Sequence, residues 1–277
     1  IQKNAAIYFL ALMAVCTAFV WYVVYTVEAQ SGEFLFVALD VGQGDALFVQ
    51  AENGNQVLID GGPSDRVLAR LGEIMPFWDR SLDAVILTHP DKDHVAGLLD
   101  VLKRYRVDLV LWTGVKHSTA EYHEWIRLLD EKKIPTAIAY AGQRMVISDG
   151  AVLDILAPFE NVEGQFASKI NDTSIVGKLR YEGGSILLMG DASKSVEYRL
   201  LFESPEALDS DILKVGHHGS KTSTSQEFLE AVTPEIAIIS SGRDNRYGHP
   251  HPEVLERLET MRVEILRTDK EGNVAID

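Results

Sequence analysis

Four potential metal ligands lie within six residues of this sequence. The segment His89-Pro90-Asp91-Lys92-Asp93-His94 follows the apolar run at residues 84–88. An unpaired buried carboxylate carries a large desolvation cost, so two carboxylates and two imidazoles in one tight loop favour divalent cations as their partners. A solvated acidic loop is the alternative. Cys16 is the sole cysteine, which excludes a thiolate cluster, so any metal must be held by His, Asp and Glu.

Two later segments place similar groups directly after apolar runs. Gly190-Asp191 follows residues 185–189, and His217-His218-Gly219-Ser220 follows residues 212–215. Strand ends that meet at one edge of a sheet are where α/β proteins build their sites. We therefore expect Asp191 to bridge two metals and one of the paired histidines to complete the set of ligands. A Gly-Asp pair alone usually marks a turn, and the segment at residues 89–94 is what favours a site here.

The elements that must position these groups alternate between short β-rich runs and amphipathic stretches. We expect strands at residues 34–40, 46–50, 56–60, 84–88, 109–112, 152–156, 174–181, 185–189, 211–215 and 236–240. We expect helices at residues 95–105, 121–132, 194–202, 225–232 and 252–261. Hairpin strands lead and βα units follow in each half. This order predicts an α/β fold with two mixed sheets and helices outside, a four-layer αββα sandwich.

The first 30 residues differ in character from the rest. Residues 5–27 contain no charged side chain, and as a helix they would span roughly 34 Å, against about 30 Å for a bilayer core. We expect one transmembrane helix and a short linker at residues 1–30, followed by a single domain at residues 31–277. A cleavable signal peptide and a buried helix are the alternatives, but the apolar run of a signal peptide is only about 7 to 15 residues long.

The charges around this segment indicate its orientation. Lys3 precedes the apolar run, and Glu28 and Glu33 follow it. The excess of positive charge on cytoplasmic flanks therefore favours a domain on the extracytoplasmic side of the cell membrane. The chain opens on Ile and stops within an apparent strand, so we expect it to be a piece of a longer protein.

The composition limits the kind of partner that the whole surface can bind. The chain has 26 basic and 41 acidic residues, a formal net charge of −15, and is 46% apolar. The apolar fraction predicts a folded protein. Proteins that coat DNA neutralise its phosphates with Lys and Arg. The negative net charge therefore excludes broad electrostatic coating of DNA, but it is compatible with a local cleft lined by cations.

Ordered motifs along the chain resemble the metallo-β-lactamase superfamily. The segment at residues 89–94, the Gly190-Asp191 turn and the His217-His218 pair carry this resemblance. More narrowly, the chain is similar to the C-terminal hydrolase-like domain of the ComEC family of DNA-uptake channels. That similarity lies in four further segments, Asp40-Val41-Gly42-Gln43-Gly44-Asp45-Ala46, Leu58-Ile59-Asp60-Gly61-Gly62, Asn171-Asp172-Thr173-Ser174 and Asn245-Arg246-Tyr247-Gly248-His249-Pro250-His251-Pro252. The resemblance covers about residues 33–277 and implies a domain outside the membrane, preceded by further membrane helices.

The resemblance implies a site for two divalent metal ions, Zn²⁺ or Mn²⁺. His89 and Asp91 would hold one ion, Asp93 and His94 the other, and Asp191 would bridge them. The superfamily usually has histidine at the position of Asp91. Because a carboxylate is a harder ligand than an imidazole, the exchange makes Mn²⁺ as plausible as Zn²⁺.

Two further histidines of the superfamily pattern are replaced in this chain. The third metal-binding motif aligns near Asn171-Asp172, and the last histidine aligns near Ser241. Because both histidines are replaced, the site lacks metal ligands unless His217, His218 or His249 supplies one. We prefer His218 as the ligand, by likeness to phosphodiesterase members with the same His-His-Gly motif.

The implied reaction is metal-assisted hydrolysis of a DNA phosphodiester. Asp93 is a catalytic candidate as well as a ligand, and His249 or His217 could protonate the leaving group. The candidates for substrate contact are Asn171, Lys214, Ser220 and Arg246. We assign no role to His117 or His123, which have no partner motif.

Three functions are compatible with these observations. The first is a membrane-anchored nuclease-like domain that acts on incoming, single-stranded DNA, with upstream channel helices of the same protein as partners. The second is hydrolysis of another ester, as in a phosphocholine esterase, and the third is a degenerate domain that binds DNA or metal without catalysis. Residues 245–252 favour the first function over the second, and the replaced histidines favour the third.

Overall fold

The computed structural model describes the backbone of residues 2–30 and 32–276 and the side chains of residues 6–22 and 32–276. Helix α1 spans Gln2–Gln30. The predicted membrane segment at residues 5–27 lies partly outside the residues whose side chains are described. Within the described residues, no helix combines the length and the apolar character that crossing a membrane requires.

The strands in the described part of the chain form two seven-stranded mixed sheets. The first sheet has the spatial order β14 (Val274–Ile276), β1 (Leu35–Ala38), β2 (Leu47–Gln50), β3 (Gln56–Ile59), β4 (Ser81–Leu87), β5 (Arg106–Trp112), β6 (Thr136–Ile138). The second has the order β13 (Glu264–Arg267), β12 (Ile236–Ile239), β11 (Ile212–Lys214), β10 (Gly184–Leu188), β9 (Val176–Tyr181), β8 (Val152–Ala157), β7 (Arg144–Val146). Antiparallel hairpins pass into parallel strands at β3–β4 in the first sheet and at β10–β11 in the second.

Helices cover the outer face of each sheet. The helices on the first sheet are α2 (Arg66–Ile74), α3 (Lys92–Arg104) and α4 (Ala120–Lys132), and those on the second are α5 (Lys194–Glu203), α6 (Gln226–Val232) and α7 (Pro252–Thr260). A single turn, α8, spans Thr268–Glu271. Three apolar clusters separate the layers, one beneath each set of helices and one between the sheets. The prediction of an α/β fold with two mixed sheets and outer helices is confirmed, and the layers follow the order αββα.

The structure also contains elements that the sequence pattern did not predict. Helix α2 packs Val67, Leu68, Leu71 and Ile74 on the core, but its nine residues fall short of the window of about 11 to 18 residues in which a helical period is recognised. Strands β6 and β7 are three residues long, which is too short for an alternating pattern to be recognised, whereas β14 is the strand expected at the end of the given sequence. Helix α3 begins at Lys92 rather than at residue 95, because Asp93 suits the positive end of a helix.

Two backbone hydrogen bonds join strand ends at one edge of the sandwich, the first between the two sheets and the second between neighbouring strands of the second sheet. The amide of Ile175 donates to the carbonyl of Thr88 at 3.1 Å, and the amide of His217 donates to the carbonyl of Gly190 at 2.9 Å. Gly44 lies so close to helix α3 that a Cβ atom there would sit 2.2 Å from the backbone oxygen of Asp93. The edge therefore holds the β1–β2 loop, the segment before β9 and the loops after β4, β10 and β11 against one another.

Candidate metal centre

Three buried imidazoles face the carboxylate of Asp191. His94 Nε2 lies 3.3 Å and His218 Nε2 lies 3.5 Å from Asp191 Oδ1, and His89 Nε2 lies 3.9 Å from Asp191 Oδ2. Within the described part of the chain, none of these three nitrogens has a hydrogen-bond partner, and neither has Asp191 Oδ1. Buried polar atoms are nearly always paired. Four unpaired ligand atoms that converge on one point therefore fit a cation site.

Two carboxylates complete the group at its solvent edge. Asp93 Oδ2 lies 3.5 Å from His218 Nε2, and Asp91 Oδ2 lies 3.7 Å from His89 Nε2. The ligand atoms fall into overlapping sets in which all atoms lie within 4.8 Å of one another, among them His89-His94-Asp191 and Asp93-His94-His218. The structure thus brings together all six predicted ligands, and nitrogen and carboxylate donors without thiolate suit Zn²⁺ or Mn²⁺.

Two further carboxylates hold the far side of the imidazole rings. His94 Nδ1 lies 2.8 Å from Asp60 Oδ2. His218 Nδ1 lies 3.2 Å from its hydrogen-bond partner, the carbonyl oxygen of Ser240, and 3.3 Å from Asp45 Oδ1. Thr88 fixes Asp60 by donating from its amide at 2.8 Å and from its hydroxyl at 2.7 Å. A carboxylate on Nδ1 sets the tautomer and turns the Nε2 lone pair towards the centre. Both acids lie in segments that resemble the ComEC family, but no role was predicted for either, although Asp60 directly follows a buried strand.

The paired histidines point in different directions. Both have left-handed backbone angles, with φ of 49° at His217 and 55° at His218, and this conformation is uncommon for residues other than glycine. His218 is buried, whereas the His217 side chain is 28% exposed. His217 Nε2 lies 3.6 Å from Asp191 Oδ2 and 3.3 Å from the amide nitrogen of Asn171. His218 therefore lies inside the buried cluster, and His217 lies at its partly exposed edge.

Opposite charges balance inside the cluster. Burial alone would lower the pKa of His218, but the carboxylates of Asp191 and Asp45 raise it to about 10. Burial would likewise lower the pKa of His94, and Asp191 and Asp60 raise it well above its usual value. Burial and the neighbouring His94 lower the pKa of His89 to about 3. Protonated His94 and His218 therefore offset the buried carboxylates, and bound cations would take the place of these protons.

His249 lies on the open side of the cluster. Its ring centroid is 5.7 Å from that of His217 and 6.4 Å from that of His218. Burial, together with His218 and His217, lowers the pKa of His249 to about 4. Its ring also stacks at 5.7 Å on the exposed Tyr247. His249 is thus close to the cluster without contacting Asp191.

The four predicted substrate contacts divide into two pairs. Asn171 and Arg246 each line a cleft beside the cluster. Ser220 is buried, and its hydroxyl lies 2.9 Å from that of Thr222. Ser220 is therefore turned into the protein rather than towards a substrate.

The prediction that Lys214 contacts a phosphate is wrong. Lys214 is fully buried, and its Nζ donates to Asp45 Oδ2 at 2.8 Å and to the carbonyl of Val215 at 3.0 Å. Side chains two apart on a strand share a face, so Lys214 points the same way as Ile212, which belongs to the apolar cluster between the sheets. The lysine faces the interior because of the register of β11.

His117 lies beside the cluster although the sequence suggested no role for it. Its Nε2 is 3.7 Å from Asp91 Oδ1, and its Nδ1 is 3.0 Å from the hydroxyl of Thr119. Strand β5 runs parallel to β4, so the loop after β5 reaches the same edge as His89. His117 could therefore have been predicted from its place after a buried strand, as His89 was.

The chain is similar to proteins of known family. The model of the metallo-beta-lactamase superfamily matches residues 39–243. ComE operon protein 3 of Bacillus subtilis (strain 168) is 32% identical over 276 residues, which cover 94% of this chain and 34% of that protein. Competence protein ComA of Neisseria gonorrhoeae is 30% identical over 263 residues, which cover 91% of this chain and 33% of that protein. The chain therefore spans about a third of the length of these relatives.

The likeness to solved structures extends over most of the domain. Igni18, a metallo hydrolase from the hyperthermophilic archaeon Ignicoccus hospitalis, aligns with a TM-score of 0.56 and 13% sequence identity. The alignment covers 88% of this chain and 99% of Igni18. At this identity the likeness concerns the fold alone.

Proposed function

The chain belongs to the metallo-beta-lactamase superfamily, and from this premise we propose that it hydrolyses DNA phosphodiesters during DNA uptake. The similarity to ComE operon protein 3 and Competence protein ComA confirms the resemblance to the ComEC family and supports a role in uptake. The observation that carries the proposal is the convergence of unpaired ligand atoms from His89, His94, His218 and Asp191.

The cluster offers ligands for two divalent cations, Zn²⁺ or Mn²⁺. In this proposal His89 and Asp91 would hold one ion, Asp93, His94 and His218 would hold the other, and Asp191 would serve both. When bound, such cations lower the pKa of a water nucleophile and stabilise the charge that develops on the phosphate. Asp60 keeps the ring of His94 in the required orientation, and the carbonyl of Ser240, with Asp45 beside it, does the same for His218.

The remaining steps fall to side chains at the open edge of the cluster. The Asp93 carboxylate is 30% exposed, so it can accept a proton from the attacking water. His217 and His249 line the open side, where an imidazole can transfer a proton to the leaving oxygen. Because the pKa of His249 is lowered to about 4, His217 is the preferred donor in this proposal. Asn171 and Arg246 hold the substrate beside them.

We assign residues 1–30 to a membrane anchor with a short linker and residues 31–277 to the hydrolase domain, on the extracytoplasmic side of the cell membrane. The absence of charged side chains from residues 5–27 supports the anchor. The partners in this proposal are incoming single-stranded DNA, the membrane and upstream channel helices of the same protein.

The proposal is tested by incubating the full chain, loaded with Mn²⁺ or Zn²⁺, with labelled single-stranded DNA and with bis(p-nitrophenyl) phosphate. We expect metal-dependent cleavage of both substrates, and loss of both activities in the Asp93→Ala variant. Cleavage of the small diester without cleavage of DNA would favour the other-ester hydrolase. DNA binding without turnover of either substrate would favour the degenerate domain.

The paired histidines should differ in their effect on metal binding. We expect His218→Ala to lower the metal content from two ions to about one, because its Nε2 lies among Asp93 and Asp191 in the buried cluster. We expect His217→Ala to retain both ions and to slow turnover. Elemental analysis after gel filtration measures the metal content, and equal metal loss in the two variants would contradict the assignment.

His117 should support the metal site through Asp91. We expect His117→Ala to weaken the binding of one ion by about tenfold, because His117 Nε2 lies 3.7 Å from the carboxylate of Asp91, a proposed ligand, and such neighbours tune affinity. Titration calorimetry with Mn²⁺ measures this change. His123 is exposed on α4, so His123→Ala is the matched control, and an equal effect in both variants would exclude a specific role for His117.

A further inference from the structure

Two clefts flank the metal centre. The first, which we call the Lys194 cleft, has a volume of about 630 Å³ and is lined by Asn171, Lys194 and His217 among others. The second, the Tyr247 cleft, has a volume of about 460 Å³, and Asp93 and Tyr247 are among its lining residues. Both volumes fall in the range of about 300–1,000 Å³ that ligand sites occupy. Because His217 and Asp93 both contact the cluster, the metal centre lies between the clefts.

Each cleft carries positive charge although the chain as a whole is strongly acidic. Lys169 and Lys194 line the Lys194 cleft together with Asp172, and Arg246 lines the Tyr247 cleft together with Asp93. Lys92 also lines the Tyr247 cleft but is paired with Glu121 at 2.9 Å. The Arg246 guanidinium lies over the Tyr247 ring, 4.9 Å from its centroid, and donates to the Tyr247 hydroxyl at 2.7 Å, so these contacts leave its charge available. Cations on both sides of a catalytic centre suit a ligand with negative charges on both sides of the reacting group.

The Tyr247 cleft also presents an ordered aromatic ring. Tyr247 is 52% exposed, and the Asn245 side chain fixes its loop. Asn245 Oδ1 accepts from the amide of Tyr247 at 3.1 Å and from the amide of His249 at 3.0 Å. The His217, His249 and Tyr247 rings form a row with successive centroids 5.7 Å apart. This row leads from the metal centre towards solvent.

An exposed, ordered aromatic ring beside a cation is the arrangement on which proteins stack unpaired nucleobases. A base within a duplex has no free face for such a contact. A small phosphodiester would fill only one cleft. The two clefts together therefore favour a chain of nucleotides with accessible bases.

Building on the proposed function, we infer that the single strand passes through both clefts and that Tyr247 provides a base-stacking subsite along this path. One base beside the cleaved bond stacks at Tyr247, and phosphates on the other side of that bond lie near Lys194. Tyr247 thus forms a base-stacking subsite, and internal bonds of the strand are the preferred targets.

The stacking contact is tested by changing the protein and the DNA together. Metal is removed from the full chain with a chelator to prevent cleavage. The affinity of the protein for an oligothymidylate of about ten nucleotides is then measured by fluorescence anisotropy. We expect one abasic position to weaken binding to the unsubstituted protein by about tenfold. In the Tyr247→Ala variant we expect binding of the intact strand to weaken by a similar factor and the abasic penalty to disappear, whereas Tyr247→Phe keeps the penalty.

A structural role of Tyr247 would weaken binding of intact and abasic strands equally, because only a direct contact makes the two changes non-additive. That result, or no binding of the intact strand, would overturn the inference. Tyr198 is 50% exposed and lies outside the lining of both clefts, so Tyr198→Ala is the matched control and should bind both strands as the unsubstituted protein does.

The Lys194 cleft is tested by the dependence of affinity on salt concentration. We expect Lys194→Ala to reduce the slope of log affinity against log salt by about one phosphate contact. Lys132→Ala, at the end of α4 and exposed, should leave the slope unchanged, and an unchanged slope in both variants would overturn the two-cleft path. These measurements record DNA binding and need no catalysis. A protein that does not hydrolyse DNA would therefore contradict the proposed function, whereas the inferred DNA path is tested by binding alone.

Discussion

Replacing Asp191 with asparagine is expected to lower the rate of DNA hydrolysis by about a thousandfold. Asp191 is the carboxylate that lies within 3.9 Å of His89, His94 and His218. An amide of the same shape offers one neutral oxygen in place of two charged ones. The variant therefore loses the bridge between the proposed ions, and we expect its metal content to fall below one ion per chain.

The Asp191→Asn variant is compared with Asp149→Asn, which changes an exposed carboxylate in a turn. Hydrolysis is followed with labelled single-stranded DNA, metal content by elemental analysis, and folding by circular dichroism. The control should match the unsubstituted protein in all three measurements. A folded Asp191→Asn protein that retains two ions and full activity would contradict the assignment of Asp191 as the bridge.

Replacing Lys214 with methionine is expected to lower the free energy of unfolding by about 3–5 kcal/mol, the usual cost of removing one partner from a buried ion pair. The Lys214 and Asp45 side chains are 0% and 2% exposed, with 2.8 Å between Nζ and Oδ2. Burial would raise the pKa of Asp45, but Lys214 and His218 hold it far below its usual value. Without the lysine, an ionised Asp45 keeps only His218 as a partner.

Chemical denaturation of the metal-free protein measures this loss. The double variant Lys214→Met with Asp45→Asn should recover part of the lost stability, because it leaves no unpaired buried charge. Lys132→Met is the matched control at an exposed lysine and should change stability by less than about 0.5 kcal/mol. A Lys214→Met protein as stable as this control would show that the buried pair contributes little.

Much of the fold and of the candidate centre could be predicted because both depend on strand ends. Apolar runs such as β4 are buried almost throughout, and such runs are visible in a sequence. The groups that directly follow these runs, His89, Asp191 and His218, come together in the structure. A local pattern therefore identifies the residues that one edge of the sheets will collect.

The remaining features depend on contacts between distant parts of the chain. Lys214 resembles any basic residue near a strand end, and only the register of β11 and the presence of Asp45, 169 positions away, show that it is buried. His117 contacts Asp91 through the neighbouring strand β5. Short strands such as β14 pair with β1 from the far end of the chain. Tertiary packing decides all three, and no local pattern records it.

The central claim is that this cluster holds two metal ions on Asp191. Anomalous diffraction at the manganese edge from crystals of the full chain soaked in Mn²⁺ tests it most directly. We predict two anomalous peaks that share Asp191, one beside His89 and Asp91 and the other beside Asp93 and His218. A map with no peak at Asp191, or with one peak alone in the cluster, would contradict the account.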